Sequence, residues 1–220
     1  MELLKKFRII LLVLPFLVGF RVFIDGVPWK VTNDSTTSRK LFVKFTNGST
    51  TVTNDVDSGD SLSSEGTTVT VTQLMESIFT DFNDVNASFV TLVASTDSDY
   101  SANKDSREIT VSFGGATGGN SGEAQLEFSG DKISTCKIDA DEDLLDSAKD
   151  FLRIMTHELG HCMGLAHPQE TVNSIMSYFA DSELYRLQLD DKMAMAFLYP
   201  KDSSAAAEEV NFGMSCSRSE

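Results

Sequence analysis

HELGHCMGLAH, residues 157–167, carries all three histidines of a 220-residue chain. Residues four apart on a helix lie on one face, so His157 and His161 can present two imidazoles to one metal ion. Glu158, rotated from them by roughly a third of a turn, can reach a metal-bound water without ligating the ion, and is the candidate general base. Gly164 tolerates positive φ, so it can end the helix sharply and turn the chain back toward the metal, where His167 becomes the third ligand. Three neutral imidazoles leave the fourth position of a tetrahedral zinc open for water, whose pKa falls toward about 7 when zinc binds it. A bare pair of histidines four apart can arise by chance in any helix. The third histidine and the glycine arriving together point to a catalytic zinc site.

Upstream, Leu144, Ala148, Phe151, Leu152, Met155 and Leu159 form one stripe, which anchors the helix on a core and leaves the histidines facing a cleft. Asp139 to Asp143 are expected to supply acidic groups to the N-terminus of this helix. Alternation predicts strands in LFVKF at 41–45, FVTLV at 89–93 and ITVSF at 109–113, and residues 46–66 read as a polar connection. Val71, Leu74, Met75, Ile78, Phe79 and Phe82 recur at helical spacing and predict an amphipathic helix over 69–84. Between the second and third strands, Asp97, Asp99 and Asp105 are calcium-ligand candidates in what otherwise reads as a solvated loop. GGATGGNSG at 114–122 lacks the lysine and helix of a phosphate loop and reads as a flexible connection beside the cleft. EAQLEF at 123–128 and KISTCKI at 132–138 flank Ser-Gly-Asp, a hairpin signal. A last helix is expected from near Asp190 to just before Pro200, and residues 201–220 read as a polar tail.

The histidine motif, followed by Ser174-Ile175-Met176-Ser177-Tyr178, resembles the metzincin metalloproteases with their methionine turn. The resemblance implies an α+β domain with a twisted mixed sheet, two long helices and a small C-terminal subdomain below the zinc cleft. It places Met176 as an apolar floor under the metal. Pro168 and Tyr178 look like serralysins, and Tyr178 is similar to the tyrosine that in serralysins and astacins can ligate zinc and then stabilise the transition state. No glycine- and aspartate-rich repeats follow Tyr199, so the size is more similar to a minimal matrixin-type domain, over roughly Pro28 to Pro200. With no histidine outside the motif, a histidine-built second zinc site is excluded, and one zinc is expected. The matrixin cysteine-switch motif is absent too. EAQLEF resembles the edge strand that pairs with extended substrate.

Residues 1–20 combine Lys5, Lys6 and Arg8 with a twelve-residue apolar run, too short to span a bilayer. We read 1–26 as a secretory signal peptide, with Gly19 and Gly26 as the candidate cleavage positions, and 27–200 as the catalytic domain. A periplasmic destination, or an uncleaved leader acting as an anchor, are the alternatives. Net charge is −15, and removing 1–26 takes away four basic and two acidic residues to leave −17. Nucleic acid and anionic membrane are poor partners for such a surface. In an exported chain a cysteine pair can oxidise, and Cys136, on the strand beside the active-site helix, is expected to pair with Cys162, leaving Cys216 alone. The resulting expectation is a secreted, monomeric zinc metalloendopeptidase acting on protein or peptide substrates. A zinc-binding peptide-recognition domain without turnover and a zinc hydrolase of a non-peptide amide or ester are the rivals.

Overall fold

Leu41 and Val43, Ile109 and Val111, and Cys136 and Ile138 alternate along three strands and turn the same face of a sheet into the core. A computed structural model describes residues 21–22, 27–114, 121–168 and 171–201. The sheet contains β2 (Lys40–Phe45), β5 (Thr91–Ala94), β6 (Glu108–Phe113), β7 (Gly122–Ser129) and β8 (Lys132–Ala140), in the order β5-β2-β6-β8-β7. The first four in that order run parallel, and β7 is antiparallel to β8. It is thus a mixed sheet. The expected hairpin is present, with a register shift between Glu127 and Phe128, and it leaves β7 as an edge strand.

Helix α1 (Val71–Asn83) buries the predicted stripe against this face. It starts two residues later than expected because Thr68–Thr70 forms β4, paired with β3 (Thr51–Thr53) out of the stretch read as a connection. Thr70 then closes a capping box with Gln73. Helix α3 (Ala148–Cys162) buries Ala148, Phe151, Leu152, Met155 and Leu159 beside α1. The expectation for Asp139 to Asp143 is corrected: β8 continues through Ala140, Asp141 caps a 3-10 turn at Glu142–Leu145, and Ser147 is the N-cap of α3. Ser147 Oγ accepts from Asp150 N at 3.2 Å and donates to Asp55 at 2.7 Å, so Asp150 is the acid in the first turn.

The calcium reading gains no support. Residues 100–107 form helix α2 (Tyr100–Arg107), and the Lys40 ammonium stands between Asp97 and Asp99, at 2.7 and 2.9 Å. A cation already fills that place. Asp105 is exposed on α2. At the opposite edge from β7, Asn83 imitates a neighbouring strand: its amide donates to Leu92 O at 3.0 Å and accepts from Leu92 N at 2.8 Å. That closes the backbone groups of Leu92, which face away from β2.

Beyond α3, β9 (Leu165–Ala166) pairs antiparallel with β1 (Arg21–Val22), and α4 (Leu189–Leu198) is the last helix among the described residues. Apart from Arg21 and Val22, the predicted leader through residue 26 lies outside the described residues, as do 115–120 of the glycine-rich connection, the tail after Lys201, and Cys216. Among the described residues, no helix is long and apolar enough to cross a membrane.

Candidate active site

Helix α3 carries the first two histidines on one face, and its end delivers the third. Met163 is the C-cap, Gly164 N donates to His161 O at 2.9 Å, and Gly164 has φ +89°. A Cβ there would also come within 2.8 Å of Val27 O, so both backbone angle and space call for glycine. The carbonyls at the end of α3 are satisfied from far along the chain: Trp29 Nε1 donates to Cys162 O at 2.7 Å and Tyr199 Oη to Met163 O at 2.9 Å. Two residues of β9 then lead to His167.

The three Nε2 atoms converge, 3.0 Å from His157 to His167, 3.0 Å from His161 to His167 and 3.1 Å from His157 to His161. His157 Nδ1 lies 2.8 Å from Ile175 O, and His161 Nδ1 lies 2.9 Å from Leu165 O. A carbonyl only accepts, so each Nδ1 carries the proton and each Nε2 turns a lone pair inward. Burial first, and then the charge of neighbouring His157, push His161 down to about 3 and His167 down to about 4. At neutral pH these two rings are therefore uncharged donors. Lone pairs facing one another call for a shared cation, and tetrahedral zinc with bonds near 2.0–2.1 Å sets its ligand atoms about 3.3 Å apart. The donor set fits zinc.

Glu158 is buried beside the triad and does not join it. Burial raises its carboxyl above the usual range, while the charge of His157 and the Ala124 N–H of edge strand β7 pull it back. Gly122 brings β7 close: a Cβ there would stand 2.8 Å from Ile154 Cγ2 and 3.0 Å from Glu158 Cγ. Between β7, α3 and the segment 175–181 runs a cleft of about 640 Å³, onto which all three histidines, Glu158 and Tyr178 open.

The matrixin family model matches residues 20–200, a span that takes in the triad, Glu158 and the Met176 turn. The chain belongs to the matrixin family. As a matrixin it is a zinc metalloprotease domain, and the triad is the place for the catalytic zinc. No curated protein matches the chain. Among solved structures it is similar to one described as the GM1 bound form of the ECX AB5 holotoxin, with 12% identity, a TM-score of 0.49, and coverage of 84% of this chain and 90% of that one.

In this matrixin Met176 is buried, and Gly160 lies against its sulfur so closely that a Cβ at 160 would overlap Sδ. The turn is held by a residue the sequence reading did not single out. Asp191, buried near the start of α4, accepts from Ser174 Oγ at 2.5 Å, Ile175 N at 3.0 Å and Gln188 N at 2.9 Å. The only sequence signal for it was an acidic residue in the first turn of a predicted helix. Tyr178 is exposed, and its ring centroid lies 3.9 Å from that of His167, tilted by 42°. Cys136 and Cys162 are joined by a disulfide with Cα atoms 5.6 Å apart, which ties β8 to the end of the matrixin's α3.

Proposed function

We propose that this domain is an exported endopeptidase that binds extended peptide along β7 and cleaves it with Glu158 as general base. The observation that carries the reading is the placement of Glu158, buried at the cleft directly beside three converging imidazoles while remaining outside the ligand set. His157, His161 and His167 hold the metal. Bound zinc supplies Lewis acidity toward a carbonyl oxygen and makes water acidic near neutral pH.

The rest belongs to the chain's own residues. The outer edge of β7 offers backbone groups to an extended peptide, which would lie as one more strand across the cleft. Glu158, its carboxylate ionised, takes the proton of the attacking water and returns it to the departing amine. Its raised proton affinity makes it the stronger base. Tyr178 donates its hydroxyl to the negative oxygen that develops at the cleaved carbonyl, a role supported by its position on the cleft wall beside His167. The described residues after Gly164 form the smaller subdomain beneath the cleft, and the leader that precedes β1 directs export.

Purified protein incubated with a peptide library is expected to cleave it, and to stop when a zinc chelator is added. Glu158→Gln is expected to retain zinc, measured by elemental analysis, and to lose cleavage by at least about a hundredfold. Turnover near the wild-type rate in that variant overturns the assigned role.

A further inference from the structure

His157 and His161 take their places from α3 itself, whereas His167 reaches the site only after the helix has ended, through Met163, the Gly164 turn and β9. Its position therefore depends on the direction in which the chain leaves α3. Leu165 O and Ile175 O also fix the rings of His161 and His157 through Nδ1, but among the described residues no group bonds to His167 Nδ1. Backbone alone aims the third ligand.

The last carbonyls of a helix lack partners within it, and a final turn left without them frays. Cys162 O and Met163 O belong to the two peptide units that lead into Gly164, and each receives a donor from a distant element: the Trp29 indole at 2.7 Å and the Tyr199 hydroxyl at 2.9 Å. The donors are joined to each other, because Tyr199 Oη accepts from Trp29 N at 3.3 Å. Both residues are 1% exposed, so water cannot replace either donor. The segment that brings Trp29 is itself fastened, since Pro28 O accepts from Ile133 N at 3.1 Å and Val27 O packs against Gly164. With the Cys162 side chain bonded to β8, the end of the helix is held, and the indole and phenol set the peptide planes that follow it.

We propose that Trp29 and Tyr199 are positioning residues for the metal, which hold the exit from α3 at the angle that brings His167 into the ligand set. Neither belongs to that set, and both act through backbone carbonyls. A tilt of the two peptide planes moves His167 directly. It also shifts Leu165 O, one residue past Gly164, and so turns the His161 ring. The proposal rests on the zinc site and is independent of what that site cleaves.

Retention and geometry of the metal are the readouts. Trp29→Phe keeps an aromatic ring and removes the indole donor, and Tyr199→Phe removes a single oxygen. In competition with a chromogenic chelator each is expected to bind zinc about tenfold more weakly than the wild type, the scale on which hydrogen-bonding partners behind a ligand act. The visible absorption of the cobalt-substituted protein, which reports tetrahedral coordination, should weaken in both, with circular dichroism confirming that each variant is folded. Val69→Ala is the control, because its β3–β4 ribbon meets the chain at Ser147, the opposite end of α3. It should melt earlier while keeping wild-type zinc affinity and cobalt spectrum. Wild-type affinity and spectrum in Tyr199→Phe, or equal losses in Val69→Ala, overturn the proposal, and Tyr199→Phe decides alone if Trp29→Phe does not fold. A wild-type protein that holds zinc and cuts no peptide counts against the endopeptidase reading alone.

Discussion

Gly160 sits inside the histidine spacing without taking part in it, and its constraint comes from sixteen residues later. Because a Cβ at 160 would overlap Met176 Sδ, Gly160→Ala must push the methionine away from beneath the triad or shift the helix itself. Overpacking of this kind costs about 1–3 kcal/mol. The variant is expected to melt earlier and to release zinc faster into a chelator, and unchanged zinc retention would show that Met176 is not a rigid floor. His157, His161, Glu158 and Gly164 were legible in the sequence because helical period and a helix stop are local properties. Gly160 looked like an ordinary helix-interior residue, since nothing local reveals which side chain will press on it.

Among the elements, α4 has a task that its hydrophobic pattern does not announce. Through Asp191 it holds the backbone N–H of Ile175 and the hydroxyl of Ser174, while Ile175 O in turn orients His157. The first helix turn of α4 is thereby connected to a metal ligand by two hydrogen-bonded steps. Asp191→Ala leaves several buried donors without acceptors, each worth about 1–3 kcal/mol, and is expected to lower stability by roughly 3 kcal/mol. It should also weaken zinc binding more than a surface change of equal destabilisation, measured by competition with a chromogenic chelator. Helices α1 and α3 were legible because their apolar stripes are long. Helix α2 was not, because YSANKDSR has no such stripe and is held instead by Lys40, which pairs with Asp97 and Asp99, and by Arg107, which donates to Thr37 O at 2.6 Å. Those partners lie dozens of residues away, beyond the range of any periodic pattern.

At the scale of the whole molecule, the folded state resists taking up protons that the unfolded chain accepts. His161 and His167 are held at about 3 and about 4, against 6.5 for an ordinary imidazole. Between those values and pH 6.5 the unfolded chain binds more protons, so the stability of the metal-free protein falls as pH is lowered through this window. The slope is at most about 1.4 kcal/mol per pH unit for each histidine, and less for partly exposed His167. Glu158, with its raised carboxyl, works in the opposite direction below its folded-state pKa. Denaturant titrations of metal-free protein at pH 7 and pH 5 are expected to show the loss, and a midpoint that does not fall would mean that these rings are not buried as neutral groups. Asp60 resists the next stage of acidification. Despite its burial, Arg186 holds its carboxyl below the usual range through bonds of 2.7 and 2.9 Å, and Arg186 also reaches Asp81 at 3.1 Å. That contribution is lost only as pH falls below about 4. The disulfide between β8 and α3 also decides which atoms of the motif can meet a metal. In a reduced chain, Cys162 offers a soft thiolate next to His161 and only five residues after His157, a ligand set attractive to zinc before any fold exists. Once Cys162 is bonded to Cys136 that sulfur is withdrawn, and nitrogen alone is left to receive the ion. The bridge that fastens the sheet to the active-site helix thus also keeps the one sulfur inside the histidine motif out of competition for the ion.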